Sequence, residues 1–119
     1  MQVRLEIGNG YTVCRLDGAL DASTTLLLEE AMALMTSVPK LVIDFSEVLF
    51  VDSAALGTLV GGVRRVRDAG GEVAVCSIRP HVRRVLQLVG FDRMVPLVET
   101  LEEAQAILDA EPAPFVGVA

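Results

Sequence analysis

An apolar run that leads into a helix-opening pair constrains the fold of this chain more than any other feature. Residues 41–43 are consecutive apolar residues, as expected of a strand in a sheet that is covered on both faces. Asp52 and Ser53 then open a segment with apolar residues at helical spacing, and Gly70 and Gly71 should end it, which predicts a helix over residues 53–68. A buried strand followed by a packed helix is typical of α/β proteins.

Hydrophobic periodicity and turn residues predict the remaining elements. Residues 2–7 alternate between apolar and polar, which predicts a half-buried strand, and Gly8-Asn9-Gly10 predicts a tight hairpin turn. Asp21 is expected to cap a helix over residues 22–37. The apolar face of that helix is predicted to contain Leu27, Leu28, Ala31, Leu34 and Met35. The other strands are predicted at residues 11–16, 72–78 and 94–98, and the other helices at residues 80–89 and 101–108.

These elements predict a single α/β sandwich with a mixed sheet and about four packed helices. The sheet is expected to be antiparallel at an N-terminal hairpin and parallel beyond it. Polar residues at Asp44, Ser46 and Glu47 are expected to mark the exit of the central strand. The domain is predicted to span residues 1–110, and residues 111–119, with two prolines and no periodicity, are expected to be extended or partly disordered.

Composition and charge narrow the class of protein. The net charge of −6 and the pI near 4.6 argue against nucleic acid as the main partner. No apolar run reaches the ~18 residues of a membrane span, and the N-terminus has no apolar signal core, so a cytoplasmic location is expected.

Cys14 and Cys76 lie in apolar runs and are expected to be reduced core thiols. Residues 64–93 carry seven arginines, which form either an interaction surface or the solvated faces of two helices.

The sequence lacks the motifs of common enzyme sites. Ser53 has none of the flanking glycines of a hydrolase nucleophile elbow, and the one histidine, His81, starts another helix. No glycine-rich phosphate loop is present. Asp44 closes a central strand, as a phospho-accepting aspartate would, but the one lysine, Lys40, precedes that strand, so a capping role is favoured for Asp44. We therefore expect a protein that is not an enzyme, with no cofactor and no metal site.

Ser53 is the candidate functional residue because it stands at the predicted start of a helix. Free backbone N–H groups and the positive end of the helix dipole favour a phosphate there. From spacing alone, the simpler interpretation is that Asp52 caps the helix and Ser53 fills its first turn. Ser53, Gly57 and Gly61 form a stripe of small residues, which suggests a close approach by a partner or by the chain's own sheet. Residues 49–51 are expected to present apolar surface nearby.

Four segments of the chain together resemble one known family. They are GALD at residues 18–21, LVIDFSEVLFVDSAALG at residues 41–57, GGEV at residues 70–73, and residues 77–90. In this order, over roughly residues 3–110, they resemble a STAS domain, and above all the anti-sigma factor antagonists of bacteria. The match is more specific than the short Asp-Ser motif because it extends in order along nearly the whole chain.

The resemblance implies a regulatory protein that is a partner and substrate of an enzyme. Such proteins bind a serine-kinase anti-sigma factor, which releases its sigma factor. The kinase phosphorylates one serine, which ends the binding, and a phosphatase restores it. That serine corresponds to Ser53, and the implied partner-binding residues are Asp21, Asp52, Ser53, Ala54 and Gly57.

Some alternatives stay open at this point. The family often has Ser-Gly or Ala-Gly after the serine, whereas this chain has Ala54 and Ala55. A scaffold or accessory binding module in a signalling complex or a lipid-transport assembly would share the fold without control by phosphorylation. A small-molecule-binding domain and a homodimer are further alternatives.

Overall fold

The computed structural model describes residues 1–8 and 10–109, and within them the chain forms five strands and five helices. The strands are β1 (Gln2–Gly8), β2 (Tyr11–Leu20), β3 (Lys40–Val51), β4 (Glu72–Cys76) and β5 (Leu97–Val98). The helices are α1 (Thr25–Leu34), α2 (Ser53–Asp68), α3 (Pro80–Leu88), α4 (Phe91–Met94) and α5 (Leu101–Asp109). The strands follow chain order across one sheet, with β1 and β2 antiparallel and the other pairs parallel. The predicted α/β fold with a mixed sheet and an N-terminal hairpin is confirmed.

The hairpin forms where the sequence predicted it, but β1 is far more exposed than a half-buried strand. Gly8 pairs with Tyr11 across the turn, and Gly10 has a φ of +88°, which glycine adopts without strain. β1 lies at the edge of the sheet and contacts chiefly β2. Leu5 is 42% exposed and Ile7 is 88% exposed. The alternation therefore predicted the strand correctly and its burial wrongly, because the described helices leave much of β1 uncovered.

Strands β2 and β3 are longer than predicted because they pair in parallel almost to their ends. The pairing ends at Leu20 and Val51 and includes two register shifts. The predicted strand exit at residues 44–47 is wrong, since the strand continues through them. Buried Asp44 forms an ion pair with Arg15 of β2, with 2.9 Å between Oδ2 and Nη1. A charged residue is tolerated inside the strand because the neighbouring strand supplies its partner.

Helix α1 starts later than predicted, and its buried face matches the predicted one only in part. Its N-cap is Thr24, so the prediction that Asp21 caps this helix is wrong. Leu27 and Leu34, both predicted to face the core, are exposed, whereas Met32 is fully buried. Leu28, Ala31 and Met35 are buried as predicted, and with Met32 they also have helical spacing. The exact limits of the buried face depend on how α1 packs against α2.

Apart from α1, the predicted helices match the structure to within one residue at each end. At the start of α5, Thr100 Oγ1 accepts a hydrogen bond from the backbone N–H of Glu103 at 3.1 Å and so caps the helix. The predicted strand over residues 94–98 is wrong in its first half, because Met94 ends α4. Gly90, with a φ of +77°, lets the chain turn directly from α3 into that short helix.

Two apolar cores lie on opposite faces of the sheet. The larger core packs the sheet against α1, α2, α3 and α4, and the smaller one lies under α5. Cys14 belongs to the larger core and Cys76 to the smaller one, so the two thiols face opposite sides of the sheet. Both are buried and free, as predicted. Burial raises the pKa of Cys14 to about 12 and also raises the pKa of Cys76.

Two further predictions concern a membrane-spanning helix and the C-terminal residues. No helix among the described residues is both long and apolar enough to cross a bilayer. Residues 110–119 lie outside the described residues, so the predicted tail and domain boundary stay predictions.

In the arginine-rich block at residues 64–93, Arg83 pairs with Glu99 at 3.2 Å, and Arg79 donates a hydrogen bond to the carbonyl of Ser46 at 3.3 Å. Some of these arginines therefore contact the domain itself.

Candidate functional site

The start of α2 meets the loop after β2 at one end of the sheet. Leu20 and Val51 are paired residues at the ends of two parallel strands, so Asp21 and Asp52 leave the sheet as neighbours. The backbone N–H of Asp52 donates to the carbonyl of Leu20 at 2.9 Å. The fold thereby brings together Asp21, Asp52 and Ser53, which the sequence singled out from separate segments.

Asp52 is the N-cap of α2, as predicted, and it also holds the neighbouring loop. Its Oδ1 accepts a hydrogen bond from the backbone N–H of Ala55 at 2.9 Å, and its Oδ2 accepts one from the N–H of Ala22 at 3.0 Å. One carboxylate thus satisfies a donor in the first turn of the helix and a donor in the loop. The second contact had no sequence signal, because Ala22 lies 30 residues before Asp52.

Asp21 forms a tight turn of its own at the start of the loop. Its Oδ1 accepts hydrogen bonds from the backbone N–H of Ser23 at 2.9 Å and from the Ser23 hydroxyl at 2.6 Å. The N–H of Asp21 donates to Thr24 Oγ1 at 2.9 Å. The hydroxyl of Ser23 is the main cause that lowers the pKa of Asp21 from its usual value of 3.8. Asp21 is therefore negatively charged at neutral pH.

Ser53 is the first residue of α2 and is exposed to solvent. The N–H of Ala55 donates to the Asp52 side chain, and the N–H of Leu56 donates to the Asp52 carbonyl at 2.9 Å. The N–H groups of Ser53 and Ala54 are therefore the ones left at the open end of the helix. An exposed hydroxyl beside two such donors is well placed to carry a phosphate.

Apolar side chains lie next to this helix start. Leu49 is 54% exposed and Phe50 is 52% exposed, which confirms the predicted apolar surface for both residues. The prediction is wrong for Val51, whose side chain is buried. The ring of His81 contacts the carbonyl of Leu49, with 2.7 Å between Nε2 and the oxygen. Sequence reasoning missed this contact, since it joins residues 32 positions apart.

Three glycines of α2 have different surroundings. A Cβ atom on Gly62 would lie 2.7 Å from the Cβ of Met32, so this glycine permits the close approach of α1. A Cβ on Gly57 would have no described atom within 4 Å, and one on Gly61 would meet only Arg65 Nη1 at 3.7 Å. Gly57 and Gly61 are therefore not required by packing within the domain. Packing on the chain's own sheet, one of the two interpretations of the small-residue stripe, does not explain them.

Alanine substitutions at these glycines should have opposite effects on stability. Gly57→Ala and Gly61→Ala are each expected to raise the free energy of unfolding by up to about 1 kcal/mol, because alanine favours the helix and its Cβ has room. Gly62→Ala is expected to lower it by about 1–3 kcal/mol through overpacking against Met32. Urea denaturation of the three variants measures these differences. Destabilisation by Gly57→Ala would mean that the fold itself needs this glycine.

The arrangement brings chemically different groups together at one end of the sheet. It presents an exposed hydroxyl, open backbone N–H groups, two carboxylates and apolar side chains. Within residues 1–8 and 10–109, no group of three or more His, Cys, Asp or Glu side chains is placed to hold a metal ion.

Comparison with known proteins identifies the family. A family model described as STAS domain matches residues 2–104. The chain belongs to the STAS family. Among relatives of this STAS domain, the anti-sigma F factor antagonist of Paenibacillus polymyxa is 29% identical over 115 residues, which cover 93% of this chain and 96% of that protein.

Solved structures have the same fold as this STAS domain. An anti-sigma factor antagonist from Mycobacterium paratuberculosis has 30% identity and a TM-score of 0.83, with 92% of this chain and 94% of that chain covered. The anti-sigma factor antagonist SpoIIAA in its unphosphorylated form has 24% identity and a TM-score of 0.75, with coverage of 90% and 96%. Bacillus SpoIIAA in its phosphorylated form has 23% identity and a TM-score of 0.69, with coverage of 90% and 99%. At this identity, the two SpoIIAA structures show the fold alone.

Proposed function

We propose that this STAS domain is an anti-sigma factor antagonist that binds a serine-kinase anti-sigma factor and so releases a sigma factor. Phosphorylation of Ser53 by that kinase ends the binding, and a phosphatase restores it. The observation that carries the proposal is the exposed Ser53 at the open start of α2, in a domain whose relatives are named anti-sigma factor antagonists. The proposed place of action is the cytoplasm, where sigma factors work.

The proposed docking surface, called the Ser53 surface below, consists of Asp21, Asp52, Ser53, Ala54 and Gly57. Its small side chains allow the backbone of a partner to approach α2 closely, and the room left at Gly57 is not used by the domain itself. Leu49 and Phe50 beside it supply apolar contact area. Apolar centres with a polar surround are typical of protein interfaces. The unmodified surface is therefore suited to a tight contact with a folded partner.

Phosphorylation would change this surface without unfolding the domain. A phosphoserine carries about −1.5 to −2 charges at neutral pH. The open N–H groups of Ser53 and Ala54 and the helix dipole stabilise such a group within the free domain. In the complex, the same group must lose its hydration beside the carboxylates of Asp21 and Asp52. Affinity for the partner is therefore lost while the fold is kept, and the occurrence of the SpoIIAA fold in both forms supports this.

Incubation with the candidate kinase and ATP, followed by mass spectrometry, tests the proposal. Tryptic cleavage after Lys40 and Arg64 releases the peptide 41–64, which contains Ser46, Ser53 and Thr58. Fragment ions must therefore show which of these three hydroxyls carries the phosphate. One phosphate is expected, on Ser53. Ser53→Ala should abolish the modification, and Thr58→Ala, as the matched control in the same helix, should retain it.

Two results would contradict the proposal. A phosphate on Ser46 or Thr58 would assign the switch to another residue. Binding to the kinase that is the same with and without ATP would favour an accessory binding module that phosphorylation does not control. A phosphatase that removes the phosphate should restore binding to the level of the unmodified protein.

A further inference from the structure

β1 is a free sheet edge with exposed apolar side chains. Among residues 1–8 and 10–109, β2 is the one strand that pairs with it. Ile7, at 88%, is the most exposed of the large apolar residues in this part of the chain, and Leu5 is 42% exposed. An edge strand without a covering element pairs readily with a further strand.

The register of the hairpin indicates which backbone groups of β1 are free. Gly8 pairs with Tyr11 with two residues between them in the sequence, and a pair that closes a hairpin at this separation exchanges both backbone hydrogen bonds. Hydrogen-bonded and non-hydrogen-bonded pairs alternate along an antiparallel ladder. The N–H and C=O groups of Val3, Leu5 and Ile7 therefore point away from β2, towards the open edge.

We propose that two copies of this chain pair through β1, antiparallel about a two-fold axis at Leu5, and join their sheets into one. In this register Leu5 lies opposite the partner's Leu5, and Val3 lies opposite the partner's Ile7. Arg4 lies opposite the partner's Glu6, and symmetry repeats this pair. The apolar pairs exchange backbone hydrogen bonds, and the charged pairs occupy the intervening positions, where side chains approach most closely.

Charge selects this register over its neighbours. The free backbone groups allow shifts by two residues only, and these would place Arg4 opposite the partner's Arg4, or Glu6 opposite the partner's Glu6. Like charges directly opposite each other are destabilising. Within its own chain, Arg4 lies opposite Arg15, while Glu6 pairs with Arg15 at 3.2 Å. In the dimer, Arg4 would face the partner's Glu6. Strand β2 of its own chain places no such opposite charge directly across from Arg4.

The proposed dimer is reversible and leaves the Ser53 surface free. One pair of strands buries less than the roughly 1,200 Å² of a stable complex, so association depends on concentration. None of Asp21, Asp52, Ser53, Ala54 and Gly57 belongs to β1. A dimer would thus present two copies of the Ser53 surface, which raises the apparent affinity for any partner with two binding sites. The inference is independent of the proposed function.

Sedimentation equilibrium of the full chain from about 10 µM to about 1 mM tests the dimer in the range expected of a weak interface. Arg4→Glu and Glu6→Arg are each expected to weaken dimerisation at least tenfold, because both place like charges opposite each other. An equimolar mixture of the two variants should restore it, since both cross-strand pairs are then of opposite charge. Melting curves check that each variant is folded.

Ile7→Lys adds an independent test, because this exposed side chain is not needed for folding and a lysine on an edge strand blocks pairing. We expect it to be monomeric over the same range. A wild-type protein that stays monomeric up to about 1 mM would overturn the proposal. So would a dimer unaffected by the charge reversals, or a mixture of the two variants that does not reassociate.

Discussion

Ser53→Asp is expected to weaken binding to the proposed kinase anti-sigma factor at least a hundredfold while the domain stays folded. A hundredfold loss corresponds to about 2.7 kcal/mol, which one desolvated charge beside Asp21 and Asp52 can supply. The helix dipole favours an acidic residue at the first position of α2, so the melting temperature should stay equal or rise slightly. Isothermal titration calorimetry against the purified kinase measures the affinity.

Ser53→Asn is the matched control for this substitution, since asparagine has nearly the size of aspartate without its charge. It should bind more tightly than Ser53→Asp, and the difference isolates the electrostatic contribution. Ser53→Ala should bind like the unmodified wild type and should remain bound when ATP is present. Wild-type affinity of a folded Ser53→Asp protein would refute the charge mechanism.

Asp52→Ala is expected to lower the free energy of unfolding by about 2 kcal/mol, the upper range for loss of an N-cap. The expected cost is high because the carboxylate accepts hydrogen bonds from Ala55 in α2 and from Ala22 in the loop after β2. For a domain of this size, the loss corresponds to a fall in melting temperature of about 8 °C. Differential scanning calorimetry at neutral pH measures it.

Two further variants separate the roles of Asp52. Serine is a good N-cap but too short to span both partners, so Asp52→Ser should recover much of the stability while the amide of Ala22 exchanges faster with solvent. Asp52→Asn should cap α2 and keep one oxygen acceptor without the negative charge. A melting temperature of Asp52→Ala within about 1 °C of the wild type would show that the cap contributes little.

Helix α2 was predictable because its signals are local. Asp52 caps it, apolar residues recur at helical spacing, and Gly70 adopts a φ of +90° just after its end. The face of α1 was predictable only in part: Leu28, Ala31 and Met35 are buried as predicted, but Met32 takes the place expected of Leu27 and Leu34. Helical spacing fits either choice, and the packing of Met32 against Gly62 on another helix favours the observed one.

Strand lengths and the burial of β1 also depended on neighbours. Asp44 continues β3 because Arg15 of the adjacent strand neutralises it, and no pattern within residues 40–51 indicates that partner. Ile7 is exposed although its alternation is that of a half-buried strand. Periodicity describes which residues share a face, whereas burial depends on what covers that face.

By itself, the sequence determined most of the element order and the N-terminal cap of α2, because these depend on residues close together in the chain. The mixed sheet followed from that order of elements, and the choice of Ser53, which rests on the resemblance along nearly the whole chain, stays a prediction. Only the tertiary structure decided that Asp52 also binds the loop of Ala22, that His81 contacts the carbonyl of Leu49, and that Gly57 is free while Gly62 is packed. These features join residues that are distant in sequence and adjacent only after β2, β3 and the helices have packed. The physical reason is that hydrogen bonds and close packing depend on distance in space.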